Sequence, residues 1–360
     1  MQTYPDHLES DVVLRTGRTL RLRPVRPEDR EQLVRFYARL SSDSLHSRFF
    51  DSRTPEAAAE ATPASVDYRR EFGIVGELGG EVVAVAHYFA SAKRPDLAEV
   101  AFAIRDDMQG CGVGTRLLEK LADIARSNEV TRFEAETLVE NRPMLDVFLN
   151  SGFEVVSRSA EGVVRVTFPI AATAQFEARA AERSQKAAYA SIRPIFEPRT
   201  IAIVGASRRP GQLGNEIVRN LRQNGFRGGL FVVNPKAAEI EGVQAVGSLS
   251  DIPVPVDLAI IAVPAGAVES VVDDCISKGI PAAVVITAGF GETGTTGRTS
   301  EQRLLEKVRA AGMRMVGPNC MGVINTDPAV KMQATFAGVF PPPGSIAMSS
   351  QSGALGLAIL

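Results

Sequence analysis

Cysteine and histidine are both scarce in this 360-residue chain, and the gaps they leave narrow the chemistry. Its three cysteines, Cys111, Cys275 and Cys320, lie far apart without metal-ligand spacing, so no metal centre is expected. The N-terminus has no basic segment followed by an apolar one, and with so few cysteines a reducing, cytoplasmic setting is the simplest expectation. No uninterrupted apolar run approaches the roughly 20 residues that cross a bilayer. The longest are strand-length stretches such as Leu258 to Val263, so no membrane partner is expected. Charge of one sign is also missing. A formal net charge of -2, with 23% charged and 45% hydrophobic residues, signals neither a nucleic-acid surface nor disorder. Partners must therefore be argued from local sites.

At roughly 150 residues per domain, the length predicts two domains or slightly more. Thr19 to Val25 reads as a strand, and Pro27-Glu28-Asp29 opens an amphipathic helix through Leu40, with acids in its first turn. Glu71 to Leu78 and Glu81 to Tyr88 read as a hairpin around Gly79-Gly80. Alternation resumes from Glu99 to Ile104, and a glycine loop then feeds a helix with apolar Leu117, Leu118, Leu121, Ile124 and Ala125. A strand at Phe133 to Val139 and a short helix at Pro143 to Asn150 follow. Phe153 to Val156 and Val163 to Phe168 close the domain as a hairpin around Glu161-Gly162. The expectation is an α+β domain over residues 1–170, with mostly antiparallel strands.

Residues 171–194 are rich in Ala, Gln, Glu and Arg and predict a helical linker. From 195 to 330 strands and helices alternate, which predicts a parallel, doubly wound α/β sheet. After Pro341-Pro342-Pro343, a strand at Ser345 to Ser349 and a turn at Gln351-Ser352-Gly353 read as part of a truncated third domain spanning 331–360.

The chemistry concentrates first in Gln109-Gly110-Cys111-Gly112-Val113-Gly114-Thr115. A pyrophosphate needs several backbone N–H groups at close range; glycines let the main chain approach, and a helix N-terminus adds positive potential. Only main-chain groups are needed there, so Cys111 reads as a tolerated small residue. Three glycines on alternate positions, after a strand ending in Arg105-Asp106-Asp107, depart from the dinucleotide fingerprint.

Read with its neighbours, the loop resembles the Q/R-x-x-G-x-G/A motif of the GNAT N-acetyltransferase family. The likeness extends from the Glu99 to Ile104 strand to Asn141 and Gly152-Phe153. It implies acetyl-CoA as donor, an arm of backbone at Phe102, Ala103 and Ile104 that pairs with pantetheine where the strand splays, and contact of Asn141 with coenzyme or substrate amide. An N-cap for the Pro143 helix is an equal reading of Asn141. Amide formation needs a neutral amine, hence a base for a group of reference pKa about 10.4. Glu99 is the candidate, because alternation places it on one face with Ala101 and Ala103, opposite Val100, Phe102 and Ile104. A solvated edge-strand Glu is the bland alternative. Phe148 stands where many family members carry a tyrosine acid, so no proton return from Tyr is expected there; water, or the low basicity of a coenzyme thiolate whose reference pKa is about 8.5, would suffice. His87 and His46 read first as structural residues, His46 on a second helix of the acceptor wall.

A second constellation begins at Gly205-Ala206-Ser207, with Pro210-Gly211 and Gly214 following. Its spacing is not G-x-G-x-x-G, and the second strand ends in Asn234-Pro235-Lys236 rather than an acid, which suits phosphate better than ribose hydroxyls. With Val263-Pro264, Thr287-Ala288-Gly289-Phe290 and the Gly317 to Gly322 segment containing Asn319, it resembles the CoA-binding domain of ADP-forming acyl-CoA synthetases and of the succinyl-CoA synthetase α subunit. Ser349 to Gly353 resembles the start of that family's next, flavodoxin-like domain. No histidine follows His87, so the phosphohistidine chemistry of those ligases is not expected from this sequence by itself.

The pair of domains resembles the bacterial protein lysine acetyltransferases. The resemblance implies transfer from acetyl-CoA to a protein lysine, with an acyl-CoA synthetase as partner and CoA sensing by the second domain. A small amine as acceptor, and a regulatory role within an acid–CoA ligase, stay open; the oligomeric state is not legible.

Overall fold

The computed structural model describes residues 3–62 and 67–360, which fall into two compact units, Met1–Tyr189 and Ala190–Leu360. The first is built on an eight-stranded sheet of order β1-β2-β3-β4-β5-β6-β8-β7. Its strands are β1 (Ser10–Val13), β2 (Thr19–Pro24), β3 (Glu71–Leu78), β4 (Glu81–Ala90), β5 (Leu97–Ile104), β6 (Arg132–Leu138), β7 (Val156–Ala160) and β8 (Val163–Pro169). Every neighbouring pair is antiparallel except β5 with β6.

Helices cover both faces. α1 (Arg30–Tyr37), α2 (Ser42–Phe49) and α3 (Pro55–Glu60) precede β3, and Leu33, Phe36, Tyr37 and Ala58 form one core with Val25, Val85 and Ala103. α4 (Val113–Ser127) and α5 (Arg142–Leu149) bury Leu117, Leu118, Leu121 and Phe148 on the other face, against Val100, Phe133 and Phe168. α4 has apolar side chains at helical spacing along one stripe, so its burial follows from the sequence. The expected helix from Pro27 begins as a single 3-10 turn, Pro27–Asp29, pinned by Arg23, whose Nη1 donates to Asp29 at 2.7 Å and Nη2 to Glu77 at 2.6 Å.

Two expectations need correcting here. Phe153 lies before β7 rather than in it, because its ring is stacked between Phe168 at 5.4 Å and Phe176 at 4.4 Å, while Gly152 turns at φ +102°. The expected linker is largely one helix, α6 (Ala174–Phe196). Its first half belongs to the first unit: Phe176 is buried in that core, and Arg183 donates to the Ser151 carbonyl at 2.8 Å and to Glu119 at 2.8 Å.

The second unit carries β9 (Thr200–Val204), α7 (Leu213–Gln223), β10 (Gly229–Val233), β11 (Glu239–Ile240), β12 (Val243–Val246), β13 (Leu258–Ile261), α8 (Ala265–Lys278), β14 (Ala282–Val285), α9 (Thr295–Ala310) and β15 (Arg314–Val316). They form a sheet of order β11-β12-β10-β9-β13-β14-β15, parallel except at β11. Ile201 and Ile203 pack toward α7, Ala202 and Val204 toward α8 and α9, the two-sided burial that makes parallel strands continuous apolar runs. β16 (Gly322–Asn325) and β17 (Met332–Thr335) form a hairpin, and Met332 and Ala334 join the α7 core. The boundary expected at residue 330 therefore cuts one hairpin. Ser345 to Ser349 is not a strand: no neighbouring strand pairs with it, and it lies exposed ahead of α10 (Gly353–Ile359). Among the described residues no helix is long and apolar enough to cross a membrane.

Candidate functional site

In the first unit β5 and β6 pair only over Leu97 to Glu99, although β5 runs on to Ile104 and β6 to Leu138. On its other side β5 stays paired with β4 through Ile104. The strands therefore part beyond Glu99, and the β6-facing edge of Phe102, Ala103 and Ile104 has no strand partner. A cleft of about 1030 Å³ opens at the split. Its lining includes Arg48, Glu99, Phe102 to Ile104, Gln109, Gly110, Gly112 to Thr115, Thr137 and Asn141.

The loop is shaped by two left-handed glycines, Gly110 at φ +68° and Gly112 at φ +90°; Gly112 is the N-cap of α4. At Gly114 a side chain would meet Val147 and Ile104 within 3.2 Å, so the small residue keeps α4 close to the split. The orphan N–H groups of the first turn face an end without any acidic side chain, a setting suited to a phosphate. The two acids ahead of the loop are engaged elsewhere. Asp106, although partly desolvated, is held below the usual carboxylate range by the Ser41 N–H and the Ser41 and Ser44 hydroxyls, and Asp107 by Arg105. Gln109 donates to Ser44 Oγ at 3.1 Å and to the Ile104 carbonyl at 3.3 Å, so it closes the loop onto the strand. Cys111 packs against the core and its carbonyl accepts from the Arg15 N–H at 3.3 Å.

Glu99 is exposed and makes no hydrogen bond or ion pair among the described residues. Across the strands it faces Phe89 and Glu134, and Glu134 is taken by Arg94. Asn141 is the N-cap of α5, its Oδ1 accepting from the Met144 N–H at 3.2 Å, and it lines the same cleft. Phe148 is buried, edge-on to Phe102 at 6.0 Å, and offers no proton. His46 is exposed on α2. Among the cleft residues that sequence reading missed are Arg15 beside the glycines, Arg48 on α2, and Thr137, whose buried hydroxyl has no partner among the described residues. None carries a local signal, since each reaches the site only through long-range packing.

In the second unit the nine predicted residues gather at the C-terminal ends of parallel strands. Gly205, Ala206 and Ser207 follow β9, Asn234 and Lys236 follow β10, Val263 and Pro264 follow β13, Thr287 follows β14 and Asn319 follows β15. Strand order reverses between β9 and β13, the crevice where open α/β sheets take ligands. Asn234 Nδ2 donates to the Ala206 carbonyl at 2.7 Å, Thr287 Oγ1 to the Val263 carbonyl at 2.7 Å, and the Asn319 N–H to the Thr287 carbonyl at 2.9 Å. A side chain on Gly205, at φ +93°, would sit 2.5 Å from the Ala262 carbonyl oxygen. Lys236 is exposed.

Residues 32–153 match the acetyltransferase (GNAT) family, and residues 199–326 match the CoA binding domain family. The chain joins a GNAT acetyltransferase domain to a CoA-binding domain. It is 34% identical over 190 residues to acetyltransferase Pat of Mycolicibacterium smegmatis, an alignment covering 52% of this chain and 57% of that one. It is 47% identical over 166 residues to the ADP-forming acetate–CoA ligase I of Archaeoglobus fulgidus, covering 46% of this chain and 24% of the ligase. The crystal structure of the GNAT domain of S. lividans PAT matches 46% of this chain and 99% of its own, at 37% identity and a TM-score of 0.43. The chain thus spans about a quarter of that ligase and little more than half of Pat.

Proposed function

We propose that the first unit transfers an acetyl group from acetyl-CoA to the Nζ of a protein lysine, and that the lysine belongs to an acyl-CoA synthetase. The observation that carries the reading is one cleft holding the split of β5 from β6, the glycine-capped end of α4 and an uncommitted carboxylate, Glu99. Gly110 to Thr115 would cradle the pyrophosphate, and the free edge of Phe102 to Ile104 would pair with the pantetheine arm, setting the thioester beside Glu99. Glu99 would accept the amine proton, and the nitrogen would attack the carbonyl directly, with no acyl-enzyme. Phe148 supplies no acid, so the departing thiolate takes its proton from water.

The likeness to Pat supports a protein acceptor over a small amine. Incubating the chain with radiolabelled acetyl-CoA and purified acetyl-CoA synthetase tests this. Label on the synthetase is the expected result, and label only on small amines in a parallel incubation overturns the protein acceptor. A second reading, a regulatory segment of an ADP-forming acid–CoA ligase, draws on the 47% identity to such a ligase. Under that reading no label leaves acetyl-CoA in either incubation.

A further inference from the structure

Glu99 faces a cation that the catalytic reading does not use. Arg48, on α2, is partly buried and lines the cleft. Its polar partner among the described residues is a neutral ring: Nη2 donates to His87 Nε2 at 3.1 Å. Burial, and secondarily the Arg48 charge, push the His87 imidazole down to about 3, so the ring is uncharged at working pH and bears its proton on Nδ1. That Nδ1 is buried without a partner, so the ring serves Arg48 alone. His87 lies opposite Ala101 and Phe89 opposite Glu99, which puts His87 and Glu99 on the same face of the sheet.

No carboxylate among the described residues pairs with Arg48. Tyr37, from α1, is kept neutral because burial raises its phenol. Asp43 and His46, on α2 itself, are exposed. Asp51, in the following loop, is bound to Arg53 at 2.9 Å. On β6, Glu134 is held by Arg94 and Glu136 by Arg165. Among the described residues Glu99 is the one carboxylate that acts on Arg48 as an opposite charge, and it does so without contact, while Arg53, in the same cleft but paired with Asp51, acts on it as a like charge. Burial lowers the Arg48 guanidinium from its ordinary value, yet an arginine stays protonated throughout the working range. A desolvated positive charge left unpaired is costly and acts strongly on whatever shares its cavity.

We propose that Arg48 is a positioning residue whose unbalanced charge keeps the acceptor amine neutral beside Glu99. The inference rests on the proposal of an amine acceptor. A bound ammonium meets Glu99 on one side and Arg48 on the other; the like charge favours loss of its proton to Glu99, and the lone pair is freed. Nitrogen then bonds to the thioester carbon, the C–S bond breaks, the nitrogen gives its second proton to water, the thiolate takes one from water, and Glu99 releases its own to solvent. The overall change converts ammonium and acetyl-CoA into amide, CoA thiol and one released proton.

The full-length chain is assayed for kcat at saturating acetyl-CoA and saturating Nα-acetyl-lysine methylamide, from pH 6.5 to about 11.5, with midpoint and plateau taken from the fitted curve, because kcat reports ionisations within the complex. The wild-type rate should reach half its plateau at least one pH unit below the amine's reference value of about 10.4. In Arg48→Met that midpoint should move up by about one to two units, a range typical of a neighbouring charge, while the high-pH plateau stays within about threefold. Arg48→Lys, which keeps the charge, should hold the midpoint near wild type. A wild-type midpoint near 10.4, or an Arg48→Met rate reduced equally at every pH, overturns the proposal; the first needs no variant to fold. Absence of any transfer by wild type to lysine amide and to protein lysine instead removes the amine-acceptor reading, and this inference with it.

Discussion

Glu99 earns its place by what it does not do. Other acids around the sheet are engaged, Asp29 and Glu77 by Arg23, Asp106 by the α2 serines and Asp107 by Arg105. A carboxylate left free beside a split strand pair is available to take a proton. Glu99→Gln keeps its size and removes the base, so kcat should fall by about 10² to 10⁴ while the acetyl-CoA dissociation constant changes by less than about threefold. Steady-state kinetics with titration of acetyl-CoA quenching or heat decides it; unchanged kcat would reject the assignment. Glu99 was legible because strand alternation and offset from a glycine loop are local patterns. Arg48 was not, because α2 reaches β5 through tertiary packing that a sequence window cannot contain.

At the scale of elements, the hairpin β3–β4 and the helix α4 could be read from periodicity and turn residues, since each has enough repeats to fix a phase, while β9, β10, β13 and β14 could be read as short apolar runs alternating with helices. The short β11, β12, β16 and β17 were not readable: none is a continuous apolar run, and each is defined by its partner strand. α6 shows the same limit. Its composition announces a helix, but nothing local reveals that Phe176 stacks on Phe153 at 4.4 Å or that Arg126 lies 5.7 Å from its ring centroid. The GNAT unit is therefore stapled by a helix beyond its last strand. Phe176→Ala should destabilise the first unit by about 3 kcal/mol, the usual cost of deleting a buried aromatic. Urea unfolding followed by a probe in that unit should show the earlier transition, and a midpoint equal to wild type would mean α6 contributes no packing.

At the scale of the whole chain, the two candidate sites proposed for one class of ligand rest on unrelated principles. The first uses a helix end and the split of one parallel strand pair within a mostly antiparallel sheet; the second uses the C-terminal crevice of a parallel sheet where strand order reverses. Free CoA is both the spent donor of the first site and a candidate occupant of the second, so we propose that the second unit senses it. Isothermal titration of the full chain with CoA should give two equivalents bound. Gly205→Ala places a methyl group 2.5 Å from the Ala262 carbonyl oxygen and should reduce this to one while leaving acetyl transfer at saturating acetyl-CoA intact. One equivalent in wild type, undiminished by Gly205→Ala, would leave CoA binding to the GNAT domain and remove sensing from the second. Two equivalents falling to one would give the chain a readout of its own product on a surface separate from the chemistry. CoA would then change transfer kinetics in wild type by a component beyond competition with acetyl-CoA, and that component would vanish in the variant.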